Sequence, residues 1–165
     1  MRTKTTRTAS ALAALAVLLG GALLTGTTAH AGTTGSTGTT EASPGCPNVK
    51  QIGSTGLVRV KLRNGTYETV ASVKQYVGCN KNYGRVWVWE KYKSTPKDLY
   101  VAVQARRDKG FETETENKAG GTAGEKTRDL WTPGAGTASS CSRVLGKVGI
   151  YGTDDSPVAY TDVRC

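Results

Sequence analysis

Four cysteines, Cys46, Cys79, Cys141 and Cys165, constrain this chain most, because all of them follow a segment that reads as an export signal. Arg2, Lys4 and Arg7 give a basic start without acids, Ala11 to Leu24 is apolar, and Ala29-His30-Ala31 supplies a small-x-small cleavage site. The apolar run is interrupted by Gly20-Gly21 and falls short of the roughly 20 residues that a spanning helix needs. The expected product is secreted to the extracellular space, cleaved near Ala31, with no membrane insertion after cleavage. Outside the cell thiols oxidise, so four cysteines without Cys-x-x-Cys spacing read as two disulfides rather than a metal site. Three pairings are possible. Cys46–Cys79 with Cys141–Cys165 is favoured, because each bridge closes a local loop.

Cleavage would remove 31 of the 165 residues, leaving 134. It would also take the only histidine and three cations, so the formal charge falls from +9 to +6. Residues 32–109 hold 13 Lys/Arg against 5 Asp/Glu, and residues 110–165 hold 6 against 8. A basic half beside a slightly acidic one suits polyanionic partners of a secreted protein, the alternative being that the modest charge merely keeps the protein soluble.

Three segments are expected: a signal peptide over 1–31, a disordered leader over 32–43, and a disulfide-stapled β domain over 44–165. The leader, GTTGSTGTTEAS, holds nothing apolar larger than alanine and cannot bury enough surface to offset its ordering entropy.

Within the domain, Leu57 to Arg63 and Thr66 to Val73 flank Asn64-Gly65, the favoured pair for a two-residue type I′ hairpin. That turn would set Leu62 opposite Tyr67, Val60 opposite Thr69 and Val58 opposite Ala71, with Lys61 and Glu68 as a cross-strand ion pair. Asn64-Gly65-Thr66 also matches a glycosylation sequon, which the turn explains without a sugar. Arg85 to Tyr92 reads as a strand, Ser94 to Asp98 as a turn, and Leu99 to Arg106 as the next strand. Phe111 to Asn117 alternates acids with apolar or threonine residues, as an exposed edge strand does. Glu125 to Trp131 suits a short strand or a helical turn, and Arg143 to Tyr151 and Pro157 to Arg164 complete the set. The fold expected is all-β, a single small antiparallel sandwich or barrel-like domain.

Trp87 and Trp89 lie two residues apart on one strand and so share a face, with Arg85 and Lys91 continuing the stripe. If Val86 and Val88 face the core, the tryptophans form a platform flanked by cations. Such a surface suits stacking on sugar rings or bases, with the cations engaging phosphate or carboxylate. The alternative is that the tryptophans are core residues, with Tyr76, Tyr83 and Tyr100 thickening either a core or a platform. The candidate ligand-binding residues are therefore Arg85, Trp87, Trp89 and Lys91.

A catalytic role finds less support. Without histidine or free thiols, a Ser-His-Asp or Cys-His nucleophile cannot be assembled. Glu90, Glu112, Glu114, Glu116, Asp129, Asp154 and Asp155 could supply a carboxylate pair for glycoside hydrolysis. However, Glu112/Glu114/Glu116 read more simply as a solvated face and Asp154-Asp155-Ser156-Pro157 as a turn. No metal and no cofactor is implied.

The stretch Val73-Lys74-Gln75-Tyr76-Val77-Gly78-Cys79-Asn80-Lys81-Asn82-Tyr83-Gly84-Arg85-Val86 resembles a motif of small secreted actinobacterial proteins of unknown function. In that motif a strand ending near Tyr is followed by Cys, four or five residues, and an Ala/Gly-Arg-Val strand. The resemblance implies class and compartment and assigns no site residues. The reading is a secreted non-catalytic binding module for anionic or glycan polymers, such as teichoic acid or acidic polysaccharide. The alternative is a protein-interaction or inhibitor-type protein whose partner is another secreted protein. A carboxylate-based hydrolase comes third.

Overall fold

Valines at alternate positions write the core into the strands: Val58 and Val60, Val86 and Val88, Val101 and Val103 are all fully buried. Period-two alternation sends such residues to one face of a pleated strand and their neighbours to the other. The computed structural model describes residues 40–121, 127–153 and 155–165. The expected signal peptide and most of the expected leader lie outside them.

Among the described residues nine strands run β1 (Thr40–Ser43), β2 (Cys46–Lys61), β3 (Tyr67–Gly78), β4 (Lys81–Val88), β5 (Lys97–Arg107), β6 (Gly110–Gly121), β7 (Asp129–Trp131), β8 (Ser142–Ile150) and β9 (Val158–Tyr160). They form two antiparallel sheets, in the orders β1-β2-β3-β4-β7 and β6-β5-β8-β9, that enclose the valine core as a nearly closed, barrel-like sandwich. The disulfides join Cys46 to Cys79 and Cys141 to Cys165. Such bridges belong to an oxidising environment. Among the described residues, no helix is long and apolar enough to cross a membrane.

Mid-strand glycines set the approach of the sheets. A Cβ on Gly146 of β8 would lie 2.4 Å from a methyl of Val73 and 2.7 Å from one of Val86. A Cβ on Gly84 of β4 would lie 2.8 Å from Val144 and 3.0 Å from Val101. Each sheet thus presents a gap that valines of the other fill. Gly146→Ala should cost about 1–3 kcal/mol by overpacking, measured by denaturant unfolding.

Two expectations about the β2–β3 hairpin are corrected. Only Gly65 adopts a left-handed backbone (φ +83°), so the turn is not type I′, which needs two such residues. Instead Arg63, Asn64 and Gly65 form a three-residue loop, closed by Leu62 N–H donating to Thr66 O and Gly65 N–H to Leu62 O. Asn64 Oδ1 accepts from both Thr66 N (3.0 Å) and Thr66 Oγ1 (2.7 Å), which stabilises the longer loop. The register slips accordingly, placing Lys61 opposite Tyr67 and Val60 opposite Glu68. Tyr67 is therefore 57% exposed rather than on the Val60 face. An irregularity at Val58/Arg59 then restores the expected Val58–Ala71 pair. The type I′ geometry appears one hairpin later, at Cys79 (φ +47°) and Asn80 (φ +57°), between the paired Gly78 and Lys81.

Other boundaries also move. Thr40–Ser43, the end of the expected leader, pairs with β2 as β1, held by contacts of Glu41 described below. The strand expected to reach Tyr92 ends at Val88, after which Glu90–Tyr92 makes a 3₁₀ turn and the chain crosses to the second sheet. Strand β6 is the expected edge, and β7 is the expected short strand near Trp131.

Candidate functional site

Val86 and Val88 do face the core, so Trp87 and Trp89 project from the outer face of the five-stranded sheet. Trp89 is 42% exposed and Trp87 is half-buried. The Trp87 ring is held by guanidinium groups, Arg85 at 4.6 Å and Arg128 at 4.4 Å from its centroid. Arg85 also lies 4.9 Å from the Trp131 ring, whose centroid is 4.8 Å from that of Tyr76. The result is a stack of Arg128, Trp87, Arg85, Trp131 and Tyr76. Strand register builds it, because Arg85 pairs with Trp131 and Trp87 with Asp129 across β4 and β7.

Arg85 is the keystone rather than a free cation. Its Nε and Nη2 donate to the two oxygens of Asp129 at 2.7 and 3.0 Å, and its Nη1 donates to Glu41. Tyr76 Oη donates to the other Glu41 oxygen at 2.8 Å. Burial alone would lower the Arg85 pKa, but the hydrogen bonds with Asp129 and Tyr76 outweigh it and hold the group above its ordinary value. With two carboxylates on one guanidinium, no cationic charge is left over for a ligand. A comparable stack fills the outside of the other sheet, where Arg143 lies 4.3 Å from Phe111 and 4.2 Å from Tyr160 and donates to Gln104 Oε1 at 2.9 Å.

Burial, and then the bond to Glu41, raise the Tyr76 pKa well above the value of 10.0 that an unfolded tyrosine shows. The phenol therefore stays protonated in the fold while the unfolded chain ionises, so its contribution is complete below pH 10 and is lost as pH climbs beyond it. Thermal unfolding should show a falling midpoint above about pH 10 that is shallower in Tyr76→Phe.

Lys91 does not continue the stripe. It sits in the 3₁₀ turn, pairs with Glu68 and approaches the Tyr92 ring at 5.3 Å. Tyr92 Oη donates to the same carboxylate. The hydrogen bonds from Lys91, first, and Tyr92 hold the Glu68 pKa below the ordinary range. The slipped hairpin register is the cause, since it takes Glu68 away from Lys61.

That same slip leaves Lys61 available, beside two further cations. Arg59 and Lys61 are exposed on β2 and Lys74 is half-buried on β3, and none of the three has a side-chain partner among the described residues. Alternation puts Arg59 and Lys61 opposite the buried Val60, on the outer side that carries the 50%-exposed Leu57. Leu57 and Trp87 flank Ser72 across β3, and Lys74 pairs with Arg85. Arg59 pairs with Thr69, and Trp89 N–H donates to the adjacent Val70 O (2.9 Å) from the other side. One face thus combines Leu57, Trp87 and Trp89 with three unpaired cations.

Sequence reasoning gave Lys61 a partner, Glu68, that it does not have. Arg128 and Trp131 were missed, because nothing local signals that β7 pairs with β4. Tyr76 and Tyr83 are buried with Cys46 and Val49, and Tyr100 is half-buried. Of the candidate carboxylates, Glu90 pairs with Lys93 and Arg128, Asp129 pairs with Arg85, and Glu112 is exposed on β6. Asp154, and the side chains of Glu114 and Glu116, lie outside the described residues. No group of three His, Cys, Asp or Glu is arranged to hold a metal among the described residues. No protein-family model matches the sequence, and no curated protein is similar to it.

Proposed function

We propose that the protein is a secreted, non-catalytic binding module whose outer β2–β3–β4 face takes anionic glycan polymers of the envelope or surroundings. The observation that carries the reading is the coincidence on one face of unpaired cations, Arg59, Lys61 and Lys74, with the exposed apolar surface of Trp89 and Leu57. Cations on a regular strand spacing meet repeating phosphate or carboxylate groups, and the apolar surface supports the sugar between them. The paired Arg85 serves this surface indirectly, by fixing Trp87 in place. Export through the segment before Ala31 and oxidation of both cysteine pairs belong to the same reading.

Retention on purified teichoic acid and on an acidic polysaccharide across a salt series tests it. Retention should weaken steeply as salt rises, since exposed charges more than about 10 Å apart are screened near 0.1 M. A residue of salt-resistant binding should disappear with Trp89→Ala. Absence of retention on every polymer at low salt would refute the reading. Stoichiometric capture of one protein partner instead would favour the interaction alternative, for which Trp and Arg anchors are equally suited.

A further inference from the structure

We infer that the cleft at one end of the barrel, on a different set of residues from the outer face, is a second binding site for a small hydroxylated ligand of saccharide size. The cleft has a volume of about 450 Å³ and is lined by Lys50, Ile52, Asn82, Ala138, Ser142 and Arg164, among others. That volume lies within the roughly 300–1,000 Å³ of small-molecule sites.

Its floor is polar and keeps spare hydrogen-bonding capacity. Asn82 and Ser142 are both almost wholly buried. Gln75 Nε2 and Asn82 Nδ2 donate to Ser142 Oγ at 2.9 and 3.0 Å, so that oxygen already accepts two hydrogen bonds. The second Asn82 amide proton goes to Thr137 Oγ1 at 3.0 Å. Among the described residues the hydroxyl proton of Ser142 finds no acceptor and Asn82 Oδ1 finds no donor. An amide offers two donors and an acceptor, and a hydroxyl one donor and two acceptor sites, so the Ser142 hydroxyl proton and Asn82 Oδ1 are left over on two residues that line the cleft. A ligand hydroxyl is the complementary group, because it can accept from Ser142 and donate to Asn82 at once. Buried polar groups of this kind reject an analogue that cannot pair with them. At the rim Arg164 is paired with Asp162, whereas Lys50 is exposed and has no partner among the described residues, which admits an acidic substituent on the ligand without requiring one.

Further bonds anchor the floor to its surroundings. Thr161 Oγ1 donates to Gln75 Oε1 at 3.2 Å and accepts from Val144 N at 2.9 Å. The backbones of Ser142 and Arg164 exchange two bonds, at 2.6 and 2.8 Å. The floor is therefore preorganised, which reduces the entropic cost of binding.

Amide chemical shifts of the full mature protein, titrated with glucose, N-acetylglucosamine and cellobiose, test the inference. At least one probe should give saturable shifts at Ile52, Asn82, Ser140 and Ser142, with a dissociation constant of about 1 mM. Ser142→Ala should weaken it about tenfold. Ala138→Trp, at an exposed position on the lining, should abolish it without touching the core, which keeps the test valid if the serine variant folds poorly. Absence of saturable shifts with all three probes would overturn the inference, as would shifts that persist in Ala138→Trp. Shifts confined to Trp87 and Trp89 would also overturn it while supporting the outer-face reading, so the two sites fail separately.

Discussion

Arg85→Met is expected to lower the free energy of unfolding by about 3 kcal/mol, the largest loss from any single side chain on the outer face. The Arg85 side chain is only 13% exposed and satisfies carboxylates from two strands at once, Glu41 of β1 and Asp129 of β7. Removing one member of a buried pair leaves the others uncompensated, which costs about 3–5 kcal/mol when all are deeply buried. Glu41 and Asp129 are 26% and 35% exposed, so the lower end applies. The stack adds to the effect, since Arg85 separates Trp87 from Trp131. Arg85→Lys should recover only part of the loss, because an ammonium cannot bond bidentately to Asp129 or lie flat between two rings. Urea unfolding of the three proteins measures this. A change below about 1 kcal/mol, the size of an exposed ion pair, would show that the stack is not structural.

The second large effect concerns the disulfides. Replacing Cys46 and Cys79, or Cys141 and Cys165, by serine should cost about 3 kcal/mol in each case, since each bridge closes a loop of a few tens of residues. The bridges share no partner, so their losses should add. A total of about 6 kcal/mol approaches the whole stability of a typical domain, 5–15 kcal/mol. The fully reduced protein should therefore unfold well below the oxidised one on a thermal scan with reductant. Alkylation of the unreduced protein should add no label, and two or more modified thiols would contradict the pairing.

Much of this architecture is legible in the residues. Alternating valines give the strands and their inward faces, cysteine spacing gives the bridges, and acidic alternation gives β6 as an edge. What is not legible depends on choices with nearly equal local energies. Asn64-Gly65 can make a two-residue or a three-residue loop, and the Asn64–Thr66 hydrogen bonds favour the second. That single step moves Glu68 from Lys61 to Lys91 and so reverses which lysine is free. The stack was hidden for a different reason. Arg128 and Trp131 lie over forty positions from Arg85 in sequence, and only the pairing of β7 with β4 brings them together. The glycines at 84 and 146 are the local sign of where the sheets meet, since a mid-strand glycine marks a close approach.

On the proposed reading, this face binds through the cations the hairpin leaves unpaired and not through those its ion pairs consume. Retention of Lys61→Gln and Lys91→Gln on the same teichoic acid column at low salt tests it most directly. Lys61→Gln should elute at lower salt than the parent protein, and Lys91→Gln should elute with it. Equal weakening by both variants, or weakening by Lys91→Gln alone, would contradict the account.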